Sequence, residues 1–224
     1  STETGRDSLQ GIENLVGGSG DDVLSGDGAS NVLSGGAGDD LLVGRGGSDT
    51  LVGGEGTDTV SFADETTTVS ANLSTGRAVG EGSGSDILSG IENVIGGSGD
   101  DFLTGDISNN TLTGAAGDDA LDGGLGDDDL SGGDGADVIT GAGGDDAIDG
   151  GLGDDNLFGG LGDDHLIGGE GDDTYTVDAG DDTIVVGGGV DSLVMDGRMT
   201  GAILADEDSD GVFDLELTGI NDQQ

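Results

Sequence analysis

The residues of this chain that could do chemistry are aspartates, and they are spaced by rule. Asp22, Asp40, Asp49 and Asp58 share one register, and so do Asp101, Asp119, Asp128, Asp137, Asp146, Asp155, Asp164 and Asp173. Asp182 and Asp191 keep it in weaker surroundings, and Asn31 and Asn110 fill it as neutral substitutes. Catalysis is a poor use for such a row. A carboxylate pair acting as acid and base needs a cleft and a raised pKa on one member, and here repetition accounts for every pair. There is no His-Glu-x-x-His signature, no Gly-x-Ser-x-Gly elbow and no cysteine nucleophile. The sole histidine, His165, follows Asp164 at an outward position and reads as a solvated variant rather than a base. The reading is therefore that the chain is not an enzyme, although a catalytic domain elsewhere in a parent protein is compatible with it. What a row of carboxylates can do is hold cations.

A nonapeptide carries the row. Residues 17–61 are five consecutive units, opening with GGSGDDVLS, and residues 96–194 are eleven more, typified by GGLGDDNLF. The last two, VDAGDDTIV and VGGGVDSLV, are degenerate. With the opening glycine as position 1, the aspartate is position 6. Position 8 is always apolar: Leu24, Leu33, Leu42, Leu51 and Val60 in the first run, then Leu103 through Leu193 in the second. One inward side chain between polar neighbours predicts a very short strand. The glycines before it suit a tight turn with positive φ. A six-residue turn and a three-residue strand reverse the chain once, so two units complete one coil.

Stacked coils lie about 4.8 Å apart, which places the position-6 aspartates of alternate units side by side. Two such charges at roughly 5 Å cost on the order of 3 kcal/mol at an effective dielectric near 20. Repeated along both edges, that repulsion outweighs a core of single Leu and Ile residues. Composition agrees: 49 acidic residues against four arginines give a net charge of −45, with 2% aromatics, 53 glycines, no proline and no cysteine. Such a chain stays disordered until its charge is neutralised. It would repel nucleic acid and anionic membranes, which are bound through lysine and arginine clusters. No apolar run approaches a membrane span, and STETGRDSLQ lacks the features of a secretory signal peptide. Hard oxygen donors in flexible turns favour Ca²⁺, whereas Mg²⁺ demands a tighter octahedron. Zinc and copper would want histidine or cysteine.

The unit GG-x-G-x-D-x-(Leu/Ile)-x resembles the nonapeptide of the RTX, or haemolysin-type calcium-binding, repeats. The resemblance implies an all-β fold, a right-handed parallel β-roll with several Ca²⁺ ions between its turns. It further implies that the position-6 carboxylates named above are ligands, joined by carbonyls around positions 2 and 4. Those positions are Gly18, Gly20, Gly36, Gly38, Gly47, Gly54 and Gly56 in the first array. In the second they are Gly97, Gly99, Gly117, Gly124, Gly126, Gly133, Gly135, Gly144, Gly151, Gly153, Gly160, Gly162, Gly169 and Gly171. Arg45, Ala115 and Ala142 replace the second glycine, which strains the turn if positive φ is needed there. The family also implies export by type I secretion machinery, an extracellular or cell-surface location, and further domains in a parent protein.

Three segments lie outside the arrays. Residues 1–16 read as an N-terminal capping strand, because SLQGIENLVGGSGDDVLSGD (8–27) echoes ILSGIENVIGGSGDDFLTGD (87–106). Residues 62–95 are either a metal-free continuation of the roll or a β insert joining two rolls. Val60, Val69, Ala78 and Ile87 stand nine apart, which favours continuation. Residues 195–224 read as a C-terminal β cap. There Asp206, Asp208 and Asp210 before Gly211 match the first half of an EF-hand-like loop, but Leu217 stands at the twelfth position where a glutamate belongs. The leading functional reading is a calcium-dependent folding and secretion module. A calcium-stiffened spacer of an adhesin, surface layer or matrix is the alternative. Ice binding ranks below both, since no regular Thr/Asn face exists.

Overall fold

The computed structural model describes residues 11–177 and 180–195, together with the backbone of two further strands, Gly201–Asp206 and Leu215–Thr218. Among the described residues there are strands and turns but no helix, and so no helix long and apolar enough to cross a membrane. Consecutive nonapeptides send their strands to opposite sheets, so alternate units pair in parallel. Leu103, Leu121, Ile139 and Leu157 stack in file in the first sheet. Leu112, Leu130, Ile148 and Leu166 do so in the second. The sheets have 13 and 10 strands and make a β-solenoid.

The core is those two files of position-8 residues, nearly all fully buried between the sheets. Tyr175 is its largest member, and its hydroxyl donates to the Val185 carbonyl at 3.3 Å. Strands in the central coils are longer than three residues. Ala120–Leu125 and Asp129–Asp134 run from position 7 through position 3 of the next unit. The turns are themselves stacked in register, with Gly124 opposite Ala142, so parallel pairing continues past position 9.

Between the arrays both sheets run on without a break. In the second, Thr59–Ser61 pairs with Asn93–Ile95, which pairs with Thr111–Ala116. The first contains an antiparallel meander of Val69–Asn72, Arg77–Gly80 and Gly84–Ser89. Its last strand pairs in parallel with Thr50–Glu55 and its first with Phe102–Thr104. The nine-residue spacing through this segment gets burial wrong at one residue, and it puts Val69 in the file where Ala71 stands on Leu103. Ile87 is half exposed, and Leu88 lies on Leu51 instead. The reversed strand resets the register, so a spacing rule made for parallel coils slips by one. At the C-terminal end, Gly201–Asp206 and Leu215–Thr218 add in parallel, one to each sheet. Asp208, Asp210 and the side chain of Asp206 lie outside the described residues.

Position 2 takes positive φ in most units, though not at Gly18, Asp27, Gly97 or Asp106. Its glycines include Gly124 at 105° and Gly54 at 135°, and Arg45, Ala115 and Ala142 are held at 64°, 90° and 78°. A Cβ in the left-handed region costs roughly 1–2 kcal/mol, partly offset by the stiffer unfolded chain. Ala115→Gly and Ala142→Gly are therefore expected to raise stability by about 0.5–1 kcal/mol each. Denaturant midpoints at saturating calcium measure this, and a neutral or destabilising result would show that the turns relax around the methyl group.

Candidate metal centres

The position-6 aspartates form a hydrogen-bonded ladder on each edge of the solenoid. The N–H at position 6 turns out of the strand pairing at the corner and needs an acceptor. It donates to Oδ1 of the position-6 carboxylate one coil on. Asp101, Asp119 and Asp137 donate in this way to Asp119, Asp137 and Asp155 at 2.7–2.8 Å. On the other edge Asn110, Asp128 and Asp146 donate to Asp128, Asp146 and Asp164 at 2.7–2.9 Å. The first array repeats the pattern: Asp22, Asn31 and Asp40 donate to Asp40, Asp49 and Asp58. Asp164 and Asp173 close it by donating to Asp182 and Asp191 at 3.1 and 2.9 Å. The exposed position-5 residues form an outer ladder of opposite sense, such as Asp118 N–H to Asp100 and Asp145 N–H to Asp127.

The second carboxylate oxygen has no such partner. Oδ2 of Asp40, Asp49, Asp58, Asp119, Asp128, Asp137, Asp146, Asp155 and Asp173 is buried without a hydrogen bond. It faces the opening glycine of its own unit beside a carbonyl of the next coil. A Cβ on Gly150 would strike both Asp155 Oδ2 and the Gly168 carbonyl, and one on Gly123 would strike Asp128 Oδ2. Glycine at position 1 keeps that space open. Burying an ionised oxygen bare is expensive. Burial therefore pushes the carboxyls of Asp119 and Asp155 up to about 7, and those of Asp128 and Asp173 up to about 6. The backbone N–H bond opposes the rise, and neighbouring carboxylates add to it. The same burial raises Asp40, Asp49, Asp101, Asp137 and Asp146.

These residues fit a calcium ion. The donors are hard oxygens, one orphaned carboxylate oxygen and backbone carbonyls per turn. Among the described residues no three acidic or histidine side chains converge on one point. A site here is thus a carboxylate completed by backbone, not a cage of side chains. Most position-4 glycines, such as Gly38 at φ 115° and Gly135 at 145°, take the left-handed bend that the turn requires. In the opening unit of each array Gly18, Gly20, Gly97 and Gly99 do not take it.

Four positions depart from the rule. Asn31 and Asn110 turn their amide oxygens back onto the position-2 N–H of their own turns, at Asp27 and Asp106. Those aspartates in turn accept from Ala29 and Ser108, so both turns are closed by their own side chains. Asp101 is likewise satisfied, by the N–H groups of Val69 and Gly97. Asp22 is only half buried, near the N-terminal edge of the stack. His165 is exposed on the outer face, as is Phe102, whereas Phe158 is half buried.

Two ladder members escaped the sequence reading. Asp86 accepts the Asp49 N–H at 2.8 Å, and Glu92 accepts the Asp58 N–H at 2.9 Å. Asp86 is buried with an orphaned Oδ2, and burial pushes its pKa up to about 6. The signal was present. With Leu88 at position 8, residues 81–89 read EGSGSDILS, a nonapeptide with glycines at 2 and 4 and aspartate at 6.

Parallel coils with a buried acid ladder on each glycine-turned edge define a repeat β-solenoid. The family model described as RTX calcium-binding nonapeptide repeat (4 copies) matches residues 7–42, 25–60, 86–121, 95–130, 122–157, 149–184 and 158–193. The chain belongs to this family, and it is a calcium-binding repeat chain with a β-roll fold. No curated protein matches it.

Proposed function

We propose that the chain is a calcium-triggered folding module of a larger secreted protein, exported unfolded through a type I secretion channel. The observation that supports this is the pair of buried ladders in a chain of net charge −45. In a cytosol poor in free calcium, self-repulsion keeps such a chain extended and able to thread a channel. Outside, near millimolar calcium, even the weak class of extracellular site fills. Ion binding and folding are then one equilibrium. The ions are held by the position-6 carboxylates with carbonyls around positions 2 and 4. The alternative role, a calcium-stiffened spacer, draws support from the unbroken pairing of both sheets through residues 62–95.

Circular dichroism and hydrodynamic radius across a calcium titration test the module. We expect an expanded coil in excess chelator, a compact β-rich form at millimolar calcium, and little response to equal magnesium. Persistent β-structure in chelator with no ion retained would overturn the reading. Raising calcium inside a secreting cell should block export if the chain travels unfolded. Unimpaired export would leave the spacer role.

A further inference from the structure

The outward face of the 13-stranded sheet is almost free of charge, in a chain with 49 acidic residues. Its side chains come from positions 7 and 9 of alternate units and from the meander. Among the described residues at these outward positions only Arg77 and Asp122 are charged, and both are exposed. The face also exposes Val32, Val79, Ile87, Phe102 and Val138. Register sets the two charges in one column: Arg77 pairs with Asn72, Asn72 with Thr104, and Thr104 with Asp122. They stand three strands apart, about 14 Å. The midpoint between them falls between Val69–Asn72 and Phe102–Thr104, with six strands of the sheet on one side and seven on the other. A flat face with one cation and one anion at equal distances from its centre is complementary to itself. A basic partner would be drawn instead to the acid edges.

We propose that two copies of the calcium-loaded roll pack face to face through this sheet. The two-fold axis runs along the strands, between Val69–Asn72 and Phe102–Thr104. Such an axis reverses the order of the strands and keeps their direction, so Arg77 of each copy lies opposite Asp122 of the other. It also sets the two Phe102 rings, 56% exposed in the single chain, side by side at the centre, where binding energy concentrates. Val79 falls opposite Ala120, and Ile87 opposite Thr140. Six strands on each side of the axis overlap. At ~4.8 Å per strand and a width of ~10 Å, each copy covers roughly 500 Å², which reaches the ~1,000 Å² total of a specific interface. The acid edges stay outside the contact. With sheets about 10 Å apart, the edges of the two rolls lie about 20 Å from each other, well beyond the Debye length of about 8 Å in physiological salt.

Sedimentation velocity of the full chain, in millimolar calcium and physiological salt, makes the test. The parent is expected to sediment as a dimer in the micromolar range. Phe102→Asp is expected to be a monomer with the same calcium-induced circular dichroism as the parent. Arg77→Asp is expected to weaken the dimer about tenfold or more, because symmetry removes two ion pairs and adds two repulsions. Combining it with Asp122→Arg is expected to restore the dimer. A folded but monomeric parent overturns the proposal, and so does a dimer that either single variant leaves intact. A double variant that regains nothing overturns it as well, since the register of the two copies is then wrong. If Phe102→Asp does not fold, the charge reversal and its rescue decide, both at exposed positions. The face forms only with the roll, so the dimer rests on the calcium-folding reading. A parent that stays expanded in calcium defeats both, whereas a compact monomer defeats the dimer alone.

Discussion

Asp128→Ala or Asp155→Ala is expected to cost the calcium-loaded roll about 3–5 kcal/mol, the penalty for stripping one partner from a buried ionic contact. Each side chain does two jobs. Oδ1 of Asp128 accepts the Asn110 N–H at 2.7 Å, and Oδ1 of Asp155 accepts the Asp137 N–H at 2.8 Å. Oδ2 faces the turn with no partner of its own. Alanine orphans the buried N–H, at about 1–3 kcal/mol, and removes the charged ligand. Asparagine separates these jobs. It keeps an acceptor for the N–H but loses the charge, so Asp155→Asn should fall between parent and alanine. Asn110 gives warning of a further effect, because its amide oxygen swings to the Asp106 N–H instead. If Asp155→Asn copies that swing, it will be as damaging as alanine. Denaturant melts at fixed calcium provide the measurement. The calcium midpoint moves less than a single-site estimate suggests, because the loss is shared among all the ions bound in the transition. Tyr175, the only tyrosine in a chain without tryptophan, reports the same transition by fluorescence from inside the core. His165→Ala should leave both readouts unchanged, since that side chain is exposed. Equal losses at His165 and Asp155 would show that the ladder has no special part in stability.

The coil was legible in the sequence because its period and its physics coincide. Position 8 alternates with polar neighbours, so Leu121, Ile139 and Leu157 declared a file of core residues before any coordinate was known. The aspartates were legible as a charge problem that only a cation solves. Their hydrogen bonding was not, because spacing does not reveal that Oδ1 is committed to the next coil and that Oδ2 alone is left over. The closed turns at Asn31 and Asn110 were half legible. A neutral amide announces a weaker ligand, but its bond to the position-2 N–H depends on a side-chain rotation that spacing does not encode. Residues 62–95 misled for another reason. Reading every ninth residue assumes that all strands point the same way, and Arg77–Gly80 points the other. That assumption put Ile87 in the core and hid Asp86, one step from the correct register. In residues 64–72, stacking shows a unit without a motif. Val69 holds the position-6 place, and its N–H still finds Asp101.

Acid should do part of the work of calcium. The buried carboxyls of Asp119 and Asp155 titrate near 7 in the metal-free roll, and those of Asp86, Asp128 and Asp173 near 6. In the unfolded chain an aspartate titrates near 3.9. Between those limits the folded form binds more protons than the unfolded form, so stability falls as pH rises. The contribution is complete below about pH 4 and is lost through pH 6–7. A chelated chain that is unfolded at pH 8 is therefore expected to regain β-structure as the pH is brought to about 5, with its carboxyls neutralised by protons in place of ions. Calcium needs the same oxygens ionised. Its binding should release protons between about pH 5.5 and 7, and the β-signal should become insensitive to calcium near pH 5. Circular dichroism at several pH values, with and without chelator, and proton release followed in a weakly buffered solution make the measurement. The sign is the informative part. Surface repulsion alone would also favour compaction in acid, but it would follow the ordinary carboxylate range near pH 4. A midpoint near 6–7 belongs to the buried ladder. If the chelated chain stays unfolded at pH 5, or calcium displaces no protons, the orphaned oxygens are not what calcium and protons compete for.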